Sequence, residues 1–254
     1  MLKNYNKELV TVDKTQYYPS RFKFLNSHYG IRKNSFSVLL GGSGKGKSSI
    51  MKAIIADASK SSKVAVYLTE ETQEEYEPML HWCDPIKENI YFLEERKLGT
   101  GSEDDRFLAF KETLLDPEIE IVFFDNITTS RFYQRLQQQE NFIDRLYEFS
   151  KRHKSIFIAS HTKKEFKDNG HTLITGNETR GTGMLYQKAE YFYCLQSFNV
   201  GNNIFPVMYI DKHRHFQIEQ KYFLMGYDMN AYRFDKPINF DEIKTIYKKR
   251  NTLW

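Results

Sequence analysis

The chain has 254 residues, 40% of them apolar and 28% charged, a composition ordinary for a globular domain and unlike that of a disordered or fibrous chain. Thirty-seven Lys and Arg against 33 Asp and Glu leave +4, which permits a polyanionic partner without demanding one. The longest apolar runs fall well short of the ~20 residues of a membrane span, and Cys83 and Cys194 lack any metal or redox spacing. A membrane anchor, a secretory leader and a disulfide framework are therefore not expected, and a cytoplasmic chain with reduced thiols is.

Residues 1–19 read as an N-terminal extension or linker, with Leu9, Val10 and Val12 among polar side chains. The core is expected over 20–230, and a basic tail or helix over 231–254. Phe36 to Leu40 is a short apolar run of strand type, and Ser49 to Ala56 continues with helical spacing. Between them Gly41, Gly42, Ser43, Gly44, Lys45, Gly46, Lys47 and Ser48 satisfy the Walker A pattern G-x-x-x-x-G-K-[ST]. Its glycines let successive backbone N–H groups face phosphate oxygens, and the dipole of the following helix adds to the attraction. Lys47 is expected to reach the β- and γ-phosphates and the Ser48 hydroxyl to ligate Mg²⁺. Residues 41–49, Ser49 included, thus predict a nucleoside triphosphate site with Mg²⁺.

Val64 to Thr69 reads as a buried strand ending at Glu70 and Glu71, followed by a helix over Gln73–Trp82 and a short strand over Asn89–Leu93. Residues 98–105 are glycine-rich and charged and read as a loop. A helical pattern over 106–115 stops at Asp116-Pro117, because the residue before proline disfavours the helical region. Ile119 to Asp125 is a near-continuous apolar strand ending in an acid, the Walker B form, and Asp125 is expected to orient Mg²⁺. Residues 138–152 place Phe142, Ile143, Leu146 and Phe149 on one helical face, and Ser155 to Ser160 is a further buried strand ending at His161. Strands alternating with helices predict an α/β fold with a parallel sheet covered on both faces. After residue 190 the pattern changes to a hairpin, 191–198 and 204–211 around Asn199 to Asn203, then a strand over 216–226 and a short basic helix over 240–250. The parallel core is thus expected to carry an antiparallel edge.

Ligands of an open parallel sheet sit beyond the carboxyl ends of its strands. There Glu70 is placed to polarise the water that attacks the γ-phosphate. Glu71 is the alternative, although an acid opening a helix is already favoured by the dipole. His161 is placed to donate to the γ-phosphate and to report its loss.

These segments together resemble the RecA-like ATPases, and most closely the branch of DnaB-type hexameric helicases, RadA-type recombinases and KaiC-type ATPases. Val66-Tyr67-Leu68-Thr69-Glu70-Glu71-Thr72 has the form of the branch's Glu-Glu segment, and Ile158-Ala159-Ser160-His161-Thr162-Lys163-Lys164 that of its γ-phosphate-sensing strand. Arg180 to Glu190 resembles the turn and short helix before the next strand, with Glu190 where Asp is usual. Ile210-Asp211-Lys212-His213-Arg214-His215 resembles the Lys-x-Arg element of the late hairpin.

The resemblance covers residues 20–225 and implies a core-only member with ATP as its nucleotide. It implies that Lys212 and Arg214 reach the nucleotide of a neighbouring subunit, and that residues 1–19 dock on one. It also implies that the loop after His161 lines a central channel, with Lys163, Lys164, Lys167 and Arg180 as phosphate contacts to single-stranded DNA. The resulting expectation is a hexameric ring, a replicative DNA helicase of phage or plasmid type. A recombinase or recombination mediator, and a KaiC-like regulatory ATPase that binds protein partners and no DNA, are the alternatives.

Overall fold

The computed structural model describes residues 13–98, 108, 110–112, 114–163, 173–200, 203–215, 217–226, 234–239, 241, 242 and 245. Most of the N-terminal extension, nearly all of the 98–105 loop, most of the expected tail helix, and Lys164 and Lys167 lie outside these residues.

A small antiparallel ribbon of β1 (Tyr17–Tyr18) and β2 (Ile31–Arg32), with α1 (Lys23–Asn26) between them, precedes the main sheet. Then follow β3 (Phe36–Gly41), α2 (Lys47–Ser59), β4 (Lys63–Leu68), α3 (Gln73–His81), β5 (Ile90–Glu94) and β6 (Ile119–Asp125). The described residues among 108–115 are helical. After β6 come α4 (Leu136–Arg152), β7 (Ser155–His161), α5 (Met184–Lys188), β8 (Tyr191–Val200), β9 (Asn203–His213), β10 (Tyr222–Gly226) and β11 (Phe234–Ile238).

The nine-stranded sheet runs β11-β10-β9-β8-β3-β7-β6-β4-β5. The six strands from β8 to β5 are parallel, and β9, β10 and β11 extend them antiparallel. The mostly parallel sheet with covered faces and an antiparallel hairpin region is the α/β architecture expected from the strand pattern.

All six residues of β3 are buried because both faces of the sheet are covered. On one side Ile50 and Ile54 of α2 and Leu80 of α3 pack against Leu39, Val66 and Phe157. On the other, Phe142, Ile143 and Leu146 of α4 and Leu185 of α5 pack against Val38, Leu40 and Phe124. These two apolar layers hold the carboxyl ends of neighbouring strands at fixed height.

β3 and β4 follow one another in the chain, yet β7 and β6 lie between them in the sheet. The ends of β3, β7, β6 and β4 therefore form one continuous edge. Residue pairing keeps them level, with Gly41 opposite His161 and Leu68 opposite Asp125.

Two late strands differ from expectation. The strand expected from residue 216 begins at Tyr222, because β9 runs on to His213 and the residues after it are needed to turn back. β11 lies inside the stretch 231–254 expected as a basic tail or helix, because the charges and proline of Asp235-Lys236-Pro237 hide the strand pattern. Proline lacks the ladder donor and is tolerated because β11 is the outermost strand. Among the described residues no helix is long and apolar enough to cross a membrane.

Candidate nucleotide-binding site

The loop between β3 and α2 turns through Gly44 at φ +69° and Gly46 at φ +91°, left-handed conformations that strain any residue with a Cβ. Gly41 is constrained differently, since a Cβ there would come within 2.9 Å of the Leu195 carbonyl oxygen on β8. Ser43 and Gly44 are exposed at the tip, whereas Lys47 is only 5% exposed. Its ammonium donates to the Gly42 carbonyl at 2.9 Å and lies 3.0 Å from His161 Nδ1.

One residue further on, the Ser48 hydroxyl donates to Asp125 Oδ1 at 3.2 Å. Asp125 is 7% exposed, and its other oxygen, Oδ2, makes no hydrogen bond of proper geometry, although the buried and equally unpaired Tyr76 hydroxyl is near enough to stabilise its charge. Burial pushes its carboxyl up to about 6. Burial also pulls the Lys47 ammonium down to about 8 against the attraction of Asp125 and Glu70. Burial first, and then Lys47, hold His161 below the ordinary histidine value, against the opposing pull of Glu70.

The two neighbouring glutamates have different surroundings. Glu71 Oε2 accepts from the buried Lys52 ammonium at 2.8 Å, and that ammonium also sits 4.0 Å over the Tyr76 ring. Glu70 Oε1 faces the loop, 3.7 Å from His161 Nε2, with a half-exposed side chain. Glu70 is thus free to meet a ligand at the Walker A loop, while Glu71 is engaged on the flank of α2. Immediately after them, Thr72 and Glu75 form the capping box that opens α3.

Sequence reasoning missed Asn126, Thr69 and Lys52. Asn126 Nδ2 lies 2.9 Å from His161 Nε2. The Thr69 hydroxyl donates to the Asn126 carbonyl at 2.8 Å and ties the end of β4 to that of β6. Asn126 carries a weak signal in following the strand-terminal acid. Lys52 carries none, because a lysine five residues into a helix reads as solvated.

Lys163 and Arg180 stand beside the end of β7. The Lys163 amide donates to the Glu178 carbonyl at 2.8 Å, and the Arg180 amide to the His161 carbonyl at 2.9 Å. Both side chains are exposed.

Lys212 and Arg214 lie elsewhere. His213 pairs with Tyr191 and Tyr191 with Ser37, four residues before Gly41, so these cations sit roughly 13 Å down the strands from their own Walker A loop. There the Lys212 ammonium donates to the Tyr186 and Gln187 carbonyls at 2.7 and 3.1 Å, and Arg214 donates to the Gln187 carbonyl. Burial and the nearby Arg214 hold Lys212 down at about 8.

A scan against protein-family models finds no match to this chain, and a search of curated proteins finds no significant relative.

The orphaned Asp125 Oδ2, buried beside the Ser48 hydroxyl, is a donor set suited to a hard divalent cation. Mg²⁺ keeps several waters and takes its remaining ligands from phosphate, so one hydroxyl and one carboxylate suffice. Among the described residues no group of three or more His, Cys, Asp or Glu forms an all-protein cage.

Proposed function

We propose that the chain is a RecA-like ATPase that acts as a ring-forming motor on single-stranded DNA, a replicative helicase of phage or plasmid type. One observation carries the reading. Four adjacent parallel strands bring a Walker A lysine and serine, a buried aspartate with an orphan oxygen, a glutamate and a histidine to one edge.

The backbone amides of residues 42–48 would cradle the β-phosphate, with Lys47 released from the Gly42 carbonyl to the β- and γ-oxygens. Ser48 and Asp125 would hold Mg²⁺, which supplies charge neutralisation between the β- and γ-phosphates. Glu70 would orient and deprotonate the attacking water, and His161 would contact the γ-phosphate.

Lys212 and Arg214 are too far from their own Walker A loop to serve it, which favours delivery to the site of a second copy. Head-to-tail contacts of that kind close into rings. The exposed Lys163 and Arg180, beside the sensing strand, would follow a DNA backbone, coupling grip to phosphate loss.

The tests are Mg²⁺-dependent ATP hydrolysis with and without single strands, and unwinding of a forked duplex. DNA-stimulated turnover with unwinding is expected, and affinity for the strand should fall steeply with added salt. Stimulation and strand pairing without unwinding would favour the recombinase alternative. Turnover indifferent to DNA would favour the regulatory ATPase.

A further inference from the structure

Asn126 is 2% exposed, and its side-chain oxygen accepts from the Thr128 backbone N–H at 3.0 Å and from the Thr128 hydroxyl at 2.5 Å. A backbone N–H can only donate, so the amide oxygen faces Thr128 and the Nδ2 group faces His161. That group can only donate, and it lies 2.9 Å from His161 Nε2. A neutral imidazole has a single acceptor nitrogen. With Asn126 as the donor, Nε2 is the acceptor and the ring proton resides on Nδ1, whereas the Lys47 contact taken alone would put the proton on Nε2, so one neutral ring cannot serve both donors.

Glu70 Oε1 lies 3.7 Å from Nε2, longer than a hydrogen bond, which leaves Asn126 Nδ2 as the nearer group at that nitrogen. The Nδ1–H is then turned toward the Lys47 ammonium 3.0 Å away, which also has only donors. Two donors meeting at the mouth of the Walker A loop are satisfied together by one anionic oxygen seated against both.

We propose that Asn126 is a positioning residue that fixes His161 in the Nδ1–H tautomer, so that this N–H and the Lys47 ammonium jointly grip the terminal phosphate of a nucleoside triphosphate. The proposal rests on the nucleotide-site reading above and deepens it by naming what tells triphosphate from diphosphate. With diphosphate, the Nδ1–H and Lys47 lack the shared acceptor. The Thr69 hydroxyl accepts from the Asn126 backbone N–H at 3.0 Å, and Thr69 immediately precedes Glu70.

The test is ring-¹⁵N labelling of histidine in the full chain without nucleotide, at about pH 7, above the ordinary histidine value and below that of Lys47, which stays an ammonium. The His161 signal is assigned by its loss in His161→Gln. The expected result is a protonated Nδ1 and an unprotonated Nε2. Asn126→Asp replaces the donor with an acceptor and should move the proton to Nε2. ATP affinity relative to ADP should then fall about tenfold or more, the worth of one charge-assisted hydrogen bond, with ADP affinity unchanged.

A wild-type ring protonated on Nε2 overturns the proposal, and this holds whether or not the variant folds. Full ATP-over-ADP preference in a folded Asn126→Asp chain overturns it as well. If the wild type binds neither nucleotide, the nucleotide-site reading itself fails. Nucleotide binding together with an Nε2–H ring sinks the tautomer proposal alone.

Discussion

Asp125→Asn separates what the buried carboxylate costs the fold from what it contributes to chemistry. Asp125 is almost fully buried, with one oxygen making no hydrogen bond of proper geometry, and burial moves its carboxyl from 3.8 to about 6. At about 1.4 kcal/mol per tenfold in equilibrium constant, that displacement corresponds to roughly 3 kcal/mol of destabilisation of the charged form.

Below pH ~4 the carboxyl is protonated in both states and carries no penalty. The penalty grows between about 4 and 6 and is complete above. Asparagine removes the charge and keeps an acceptor for Ser48, while Lys47 loses one attractive partner. The net gain above pH ~6 is therefore about 1–3 kcal/mol, or roughly 2–4 °C in Tm for each kcal/mol in a chain of this size. Urea or thermal unfolding without Mg²⁺ at about pH 7.5 and pH 4 reads it. Asp125→Asn should be the more stable chain at the higher pH and equal at the lower, and should fail to hydrolyse Mg²⁺·ATP. A variant less stable than wild type at about pH 7.5, or a gain independent of pH, would refute the reasoning.

Three further outcomes are expected. Glu70→Gln should retain nucleotide affinity and lose about a hundredfold or more in kcat, while Glu71→Gln, whose side chain is engaged by Lys52, should lose about tenfold at most; steady-state turnover of the pair decides between them. Arg214→Ala mixed with Lys47→Ala should regain turnover that neither has alone, because mixed interfaces pair an intact cation with an intact loop; no regain after verified subunit exchange counts against the neighbour's role. Gly176→Ala should lower stability by about 1–3 kcal/mol in urea titration, since a methyl there overlaps the Tyr186 ring; a neutral result would mean that the turn relaxes freely.

Much of the site was legible because its residues belong to strand ends and a spaced motif. Gly41 to Ser48, Asp125 and His161 each follow an apolar run, and an apolar run ending in a polar residue is visible without structure. The choice of Glu70 over Glu71 was only partly legible. It depends on where Lys52 reaches, and a helix wheel does not show a buried ammonium meeting a neighbouring element.

Asn126 was only faintly legible for a related reason. Its importance lies in a hydrogen-bond polarity set by the Thr128 backbone, and no residue spacing encodes that. β11 was lost because its proline and charges obscure a strand that only an outermost position tolerates. The place of Lys212 and Arg214, away from their own loop, followed from the register of β8 and β9 rather than from motif order.

The account turns on phosphate release from Mg²⁺·ATP by the purified chain and by Lys47→Ala, measured with and without single-stranded DNA. Release by the wild type, increased by DNA and abolished in the folded variant, is the predicted result. Equal release by the two chains, or none from an assembled wild type supplied with DNA, would contradict it.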